Sequence, residues 1–247
     1  MTTLLEGKVA LVTGGSRGLG RALCEVFARE GAVVAFTYSR SDEAAEETAK
    51  SIAARGGKGL AFKGSVIVPA EVAEVTSKVE RETGGIDILV NNAGIGQVVP
   101  LALMEELDWD RMMDVHVKGA FLMSRAVVRG MVRRKRGKIL NIGSLAGVKM
   151  MEAPVHYSAA KAALRGMTES LAKELGRFGI TVNCLAPGIL EAGLSGDLSK
   201  ERRAEYLRHC SLGRLGTTAE VAEMAAFLVS DRNSYMNGAT IVLDGGL

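Results

Sequence analysis

Seven short apolar runs punctuate the chain: KVALVTG (8–14), AVVAFTY (32–38), GLAFKGS (59–65), IDILVNNAG (86–94), GKILNIGS (137–144), ITVNCLAPG (180–188) and ATIVLDGG (239–246). Each is too short for an ordinary helix, and most carry β-branched side chains and close on Gly, Asn, Ser or Pro. They read as strands, mostly buried on both faces. Between them lie amphipathic stretches such as RALCEVFAREG (21–31), DEAAEETAKSIAARG (42–56) and PAEVAEVTSKVERETG (69–84). Strand and helix alternating in this way predict an α/β chain: a single-domain doubly wound Rossmann-type fold, with a seven-stranded parallel sheet and helices on both faces. The pattern runs through residues 1–247 with no linker, low-complexity tract or repeat. Such sheets bind ligands beyond the C-terminal ends of their strands, so the functional loops are expected along that edge.

Composition narrows the picture. Hydrophobic residues make up 47%, enough for a large core, while aromatics are only 4% and glycines number 30, which suits aliphatic strands joined by tight turns. A net charge of +3 is too small to argue for nucleic acid. Cys24, Cys184 and Cys210 are widely spaced and odd in number, which argues against a disulfide framework and for a reducing compartment. The first residues carry neither a signal-peptide pattern nor a membrane span, so a cytoplasmic location is expected.

The stretch VTGGSRGLGRAL (12–23) follows the first strand and opens the first helix, with glycines at 14, 18 and 20. Glycine lets such a turn tighten and lets backbone approach a diphosphate, and the helix N-terminus supplies unpaired N–H groups. A dinucleotide site that prefers NAD places an acid at the end of the second strand, on the ribose 2′-OH. Here that point reads Thr37-Tyr38-Ser39-Arg40, and Asp42 comes later, where it is expected to start a helix. Arg17 and Arg40 are placed to flank a 2′-phosphate, so the sequence favours NADP(H).

HYSAAKAAL (156–164) sets Tyr157 and Lys161 one helical turn apart among small residues. Alone, such a pair is ordinary on a solvated helix. Taken with TGGSRGLG (13–20), NNAG (91–94), GKILNIGSLAG (137–147), YSAAK (157–161), GITVNCLAPG (179–188) and SLGRLGTTAEVAEMAAFLVSD (211–231), it resembles the short-chain dehydrogenase/reductase family from residue 8 onward. Within that family the chain is most similar to the 3-oxoacyl-[acyl-carrier-protein] reductases of fatty-acid or polyketide synthesis. Related alcohol, sugar and polyketide reductases share the same motifs.

The resemblance implies catalytic roles for Ser144, Tyr157 and Lys161 and no metal. It implies cofactor contacts from Gly14, Ser16, Arg17, Gly18, Leu19 and Gly20 in the glycine turn, and from Ser39 and Arg40. Asn92, Ala93 and Gly94 are implied under the adenosine half, and Pro187, Gly188 and Leu190 behind the nicotinamide. Tyr157 and Lys161 are themselves implied as cofactor contacts; Lys161 is expected to hold the nicotinamide ribose and to lower the Tyr157 phenol below its ordinary pKa of about 10.

Three positions depart from the family pattern. His116 in DVHVKGAF (114–121) stands where an Asn commonly supports a proton relay. It reads as a tolerated packed replacement, as an imidazole that takes over the relay with a pH dependence near neutrality, or as a weakening of catalysis. Ser65, followed by Val66, stands where an acid often meets the adenine, and Ala192 where a Thr often meets the carboxamide.

The basic run RAVVRGMVRRKRGK (125–138) reads first as a solvated helix end, where cations suit the dipole. By resemblance, Arg129 and Lys173 are the positions that would meet an acidic acyl carrier protein. Lys149, Met150 and Met151 suit an apolar rim for an acyl chain, or simple core packing. His156 and His209 are taken as non-catalytic. Residues 189–210 follow a strand end directly and are expected to form a substrate lid, with an ordinary helical insertion as the other reading. Helices around 104–131 and 155–176 are expected to pack against symmetry mates, as a homotetramer first and a dimer second. Function therefore stands between a 3-oxoacyl thioester reductase, a dehydrogenase of free alcohols, sugars or polyketides, and a weakly catalytic nucleotide-binding protein.

Overall fold

The computed structural model describes residues 3–192 and 200–247. Along the chain run β1 (Val9–Val12), α1 (Gly18–Arg29), β2 (Val33–Tyr38), α2 (Asp42–Ala54), β3 (Lys58–Lys63), α3 (Pro69–Thr83) and β4 (Ile88–Asn91). There follow α4 (Glu106–Met113), a π-helical turn (Asp114–Lys118), α5 (Gly119–Arg134), β5 (Gly137–Ile142), α6 (Val155–Leu175), β6 (Ile180–Pro187), α7 (Lys200–His209), α8 (Thr218–Val229) and β7 (Thr240–Leu243). The strands form one sheet in the order β3-β2-β1-β4-β5-β6-β7. Every pairing is parallel, with Leu11 beside Leu89 and Asn91 beside Asn141. The direction of winding reverses between β1 and β4, which places a crevice beyond the ends of those two strands.

The helices start where local chemistry allows. Ser41 caps α2 by accepting from the Ala44 N–H at 3.1 Å, and Asp42 opens the helix as expected. The Asp42 carboxylate accepts from the Tyr38 hydroxyl at 2.9 Å and from Lys63 at 2.8 Å. Pro69 opens α3, and Gly84 closes it at φ 82°. Thr217 and Glu220 form a reciprocal capping box on α8. By contrast, α1 begins after Arg17 with no side-chain cap, which leaves its first N–H groups available.

Apolar residues on the two faces of the sheet build two cores. On one side Leu23 and Phe27 of α1 and Val221 and Ala225 of α8 cover Val12, Val34 and Phe36. On the other, Val75 and Val79 of α3, Val127 and Met131 of α5 and Leu175 of α6 cover Leu11, Leu89 and Val182. Each fully buried large side chain contributes roughly 1.5–3 kcal/mol. The outer strands are exceptions to the double burial expected of most strands: Lys58, Ala61 and Lys63 of β3 are exposed and β7 is only half-buried. These are the sheet edges, where cover comes from one neighbour only. Among the described residues, no helix is long and apolar enough to cross a membrane.

Candidate active site

The ends of β1 and β4 are stapled by one threonine. Thr13 Oγ1 accepts from the N–H groups of Asn92 and Ala93, both at 2.9 Å, and donates to Val90 O at 3.3 Å. Asn92 Nδ2 returns a bond to Thr13 O at 2.9 Å. The glycine turn begins here. Gly14 has φ +68° and Gly18 φ +54°. A Cβ on Gly20 would lie 2.0 Å from Gly14 O, so no side chain fits where α1 crosses the turn. This glycine-lined turn, leading into an uncapped helix N-terminus, fits the diphosphate of a dinucleotide. Arg17 and Arg40 are exposed at its rim, as is Ser39.

Ser144 follows β5. Its hydroxyl accepts from the Ala146 N–H at 3.2 Å and starts a short 3-10 turn, Leu145–Gly147. Tyr157 and Lys161 come from the first two turns of α6, and the Ser144 hydroxyl lies near enough to the Tyr157 phenol to favour its ionised form. Lys161 is buried and donates to Ile142 O at 2.8 Å, with its Nζ 5.7 Å from the centre of the Tyr157 ring. The close approach of the two segments depends on Gly147, where a Cβ would sit 2.6 Å from the backbone carbon of Lys161. Backbone cannot yield as a flexible side chain can. Gly147→Ala is therefore expected to lower stability by about 1–3 kcal/mol and to separate Ser144 from Tyr157. A denaturation midpoint alongside kcat checks this; an unchanged midpoint contradicts the packing described.

The comparisons with known proteins converge. Residues 14–247 match the family model described as Enoyl-(Acyl carrier protein) reductase. The 3-oxoacyl-[acyl-carrier-protein] reductase FabG of Vibrio cholerae is 40% identical over 98% of both chains, and that of Escherichia coli is 41% identical over 98% of both. A solved short-chain dehydrogenase/reductase from Serratia marcescens superposes with TM-score 0.92 at 34% identity, over 98% of both chains. The chain belongs to the short-chain dehydrogenase/reductase family. A dehydrogenase/reductase from Sinorhizobium meliloti is similarly close, with TM-score 0.92 at 33% identity over 99% of this chain and 96% of that one.

Within this short-chain oxidoreductase, the departing His116 occupies the π-helical turn between α4 and α5. Extra residues of that kind often mark functional sites. Its Nε2 faces the Ile95 backbone, 3.1 Å from N and 3.0 Å from O. The ring stands edge-on to Tyr157, with centroids 5.6 Å apart at 89°. A Cβ on Gly94 would meet His116 Cε1 at 2.6 Å, so the imidazole and that glycine fit together. Burial, then the nearby Lys161 charge, push the imidazole pKa down to about 3. The ring is therefore neutral across physiological pH. This overturns the reading in which His116 supplies a pH dependence near neutrality.

The Tyr157 expectation is also corrected. Burial raises the phenol above its ordinary value, and the nearby Ser144 hydroxyl opposes this only in part. Lys161 is pushed down to about 8 by burial. The buried ammonium is itself destabilised, and desolvation of the phenolate outweighs the help it receives.

Other expected residues fall around the crevice. Val66 lines a small buried cavity with Thr13, Ala93 and His116. The Ser65 N–H donates to Glu71 Oε2 at 2.7 Å, so an acid absent from the third strand end arrives there from α3. Gly188 donates to Leu243 O at 2.9 Å, and a Cβ on it would lie 2.2 Å from the Tyr206 hydroxyl. Leu190 is buried and bridges to Gly216, while Ala192 is exposed. Of the expected lid, residues 193–199 lie outside the described residues. Its helix α7 is anchored through Tyr206 and Cys210 against Leu145. Met150 is fully exposed, Met151 packs on that same cluster, and Lys149 is taken up by Asp244 at 2.8 Å.

His156, taken from the sequence as non-catalytic, is hydrogen-bonded beside Tyr157. It is buried, its Nδ1 accepts from the Tyr157 N–H at 2.9 Å, and Nε2 lies 3.4 Å from Gln97 Oε1. Gln97 in turn donates to Asp108 Oδ1 at 2.5 Å. Immediate adjacency to Tyr157 was the available signal. His209 is exposed.

Proposed function

We propose that this chain is an NADPH-dependent reductase that converts the ketone of a 3-oxoacyl thioester to a secondary alcohol. The observation that carries this reading is the Ser144 hydroxyl set beside the Tyr157 phenol, close enough to act on its proton, next to a buried Lys161. Two such donors suit an oxygen on which negative charge grows, stabilising the transition state more than the ground state. Tyr157 then gives its phenolic proton to the nascent alkoxide. A phenol held above its ordinary pKa stays protonated at neutral pH, which suits the reductive direction.

The reduced dinucleotide supplies the hydride when bound. Gly14, Ser16, Arg17, Gly18, Leu19 and Gly20 would hold its diphosphate. Asn92, Ala93, Gly94, Ser65 and Val66 would border the adenosine half, Lys161 the second ribose, and Pro187, Gly188 and Leu190 the nicotinamide. Ser39, Arg40 and Arg17 would meet a 2′-phosphate. Neither arginine has an ion-pair partner among the described residues, so neither must break a bond to do so.

The thioester assignment follows the relatives' names, which specify carrier-protein substrates. The family description names an enoyl reductase instead. The hydroxyl pair favours the carbonyl, because a ketone oxygen needs two donors and a proton at that atom. Arg129 and Lys173 are exposed and would meet an acidic carrier protein. Exposed Leu107, Trp109, Phe121 and Val155 on α4, α5 and α6 support assembly through those helices, with a homotetramer as the proposed state. The segment 189–210 would cover the acyl chain.

Titration with NADPH and NADH tests the cofactor assignment. NADPH is expected to bind more tightly, and Arg17→Ala or Arg40→Ala to weaken NADPH about tenfold or more while sparing NADH. Equal binding of both cofactors would overturn it. Carrier-bound acetoacetyl thioester turned over no better than free ketones would overturn the substrate assignment.

A further inference from the structure

A buried cavity of about 10 Å³ lies between the π-helical turn and β4, bordered by Thr13, Asn91, Ala93, His116, Ile142 and Leu164 among others. Two residues of its lining carry a buried polar atom, Asn91 Oδ1 and His116 Nδ1, with no hydrogen-bond partner among the described residues. Their residues are only 5% and 2% exposed. Native proteins rarely strand such groups, because each costs about 1–3 kcal/mol.

The neighbours fix which way both side chains face. Asn91 Nδ2 donates to Asn141 Oδ1 at 2.8 Å and to Ser124 Oγ at 3.1 Å. The Asn141 amide is oriented in turn by its donation to Thr168 Oγ1 at 2.8 Å, since the Thr168 hydroxyl hydrogen goes to Leu164 O at 2.8 Å. The Asn91 oxygen is therefore the end left over. The imidazole is pinned through Nε2 at Ile95, so Nδ1 is likewise left over.

We propose that this cavity binds one water molecule, which joins His116 Nδ1 to Asn91 Oδ1. The volume matches the space a single water requires, and the lining supplies two polar partners. Water both donates and accepts, so it satisfies the Asn91 oxygen and the imidazole nitrogen in either tautomer. The link completes a polar chain from the π-helical turn through β4 and β5 to α6, the helix that carries Tyr157 and Lys161. Lys161 itself stands outside the chain, because its ammonium donates to Ile142 O and does not border the cavity. His116 is thereby a positioning residue that ties its turn to the sheet, not a carrier of protons. The site rests on geometry and is independent of the proposed reaction.

A crystal structure of the protein, together with ¹⁵N spectra of its histidines, tests this. The expected result is one density peak within hydrogen-bonding distance of both atoms, and a shift of the His116 Nδ1 resonance, larger than that of Nε2, in Asn91→Leu. An empty cavity, a peak bonded to only one of the two atoms, or an unmoved Nδ1 resonance in that variant would overturn the proposal. The wild-type density decides the matter whether or not the variant folds.

Discussion

Tyr157→Phe is expected to reduce kcat about a hundredfold to ten-thousandfold while leaving dinucleotide affinity close to wild type. The substitution keeps the ring that stands edge-on to His116 at 5.6 Å, and removes only the hydroxyl. What is lost is the proton that neutralises the alkoxide and one of the two donors to the ketone oxygen, each a transition-state interaction of that general size. Ser144 retains its hydroxyl in the variant, so residual turnover above the uncatalysed rate is expected. The measurement is kcat with a ketone, beside a titration of NADPH binding. Unchanged turnover would remove Tyr157 from the chemistry. Loss of cofactor binding in step with turnover would instead make it a binding residue.

Lys161→Met is expected to stabilise the fold and abolish activity together. Burial holds the Lys161 ammonium at a pKa of about 8, against an ordinary value of 10.5. The native state therefore binds fewer protons than the unfolded chain between those limits, and stability attributable to this residue rises as pH climbs from about 8 to 10.5. Below about 8 the penalty of keeping the ammonium buried is present in full, and the gap corresponds to roughly 3 kcal/mol. Methionine is apolar and similar in reach, so it removes that penalty and forfeits the bond to Ile142 O and the ammonium's contact with the Tyr157 ring. The expected gain is up to about 3 kcal/mol at neutral pH, shrinking toward pH 10.5. Denaturant unfolding of both proteins at several pH values checks the sign; a destabilised variant at neutral pH contradicts it. Activity that needs the ammonium should also decline in the wild type as pH rises through about 8.

The inner strands were legible because aliphatic runs have few other uses. The edge strands were over-read, since the sequence GLAFKGS does not reveal that β3 lies beside one neighbour instead of two. Ser144, Tyr157 and Lys161 were legible as a motif, and the structure brings them to one place. Their electrostatics were not. A positive neighbour is visible in the sequence, whereas desolvation comes from helices and strands far along the chain, and it reversed the expected direction for Tyr157. The same distance hid the buried amides: Asn91 and Asn141 meet only because β4 and β5 pair in that register. The π-helical turn around His116 carries no local signal at all.

The central claim is that Tyr157 and Ser144 serve the oxygen of a ketone that is being reduced. It is tested most directly by mixing the wild-type protein with NADPH and an acetoacetyl thioester and following both cofactor and product. NADPH consumed one for one with appearance of the 3-hydroxyacyl thioester is the predicted result. NADPH that binds but is not consumed with this thioester or any other carbonyl compound would contradict the account.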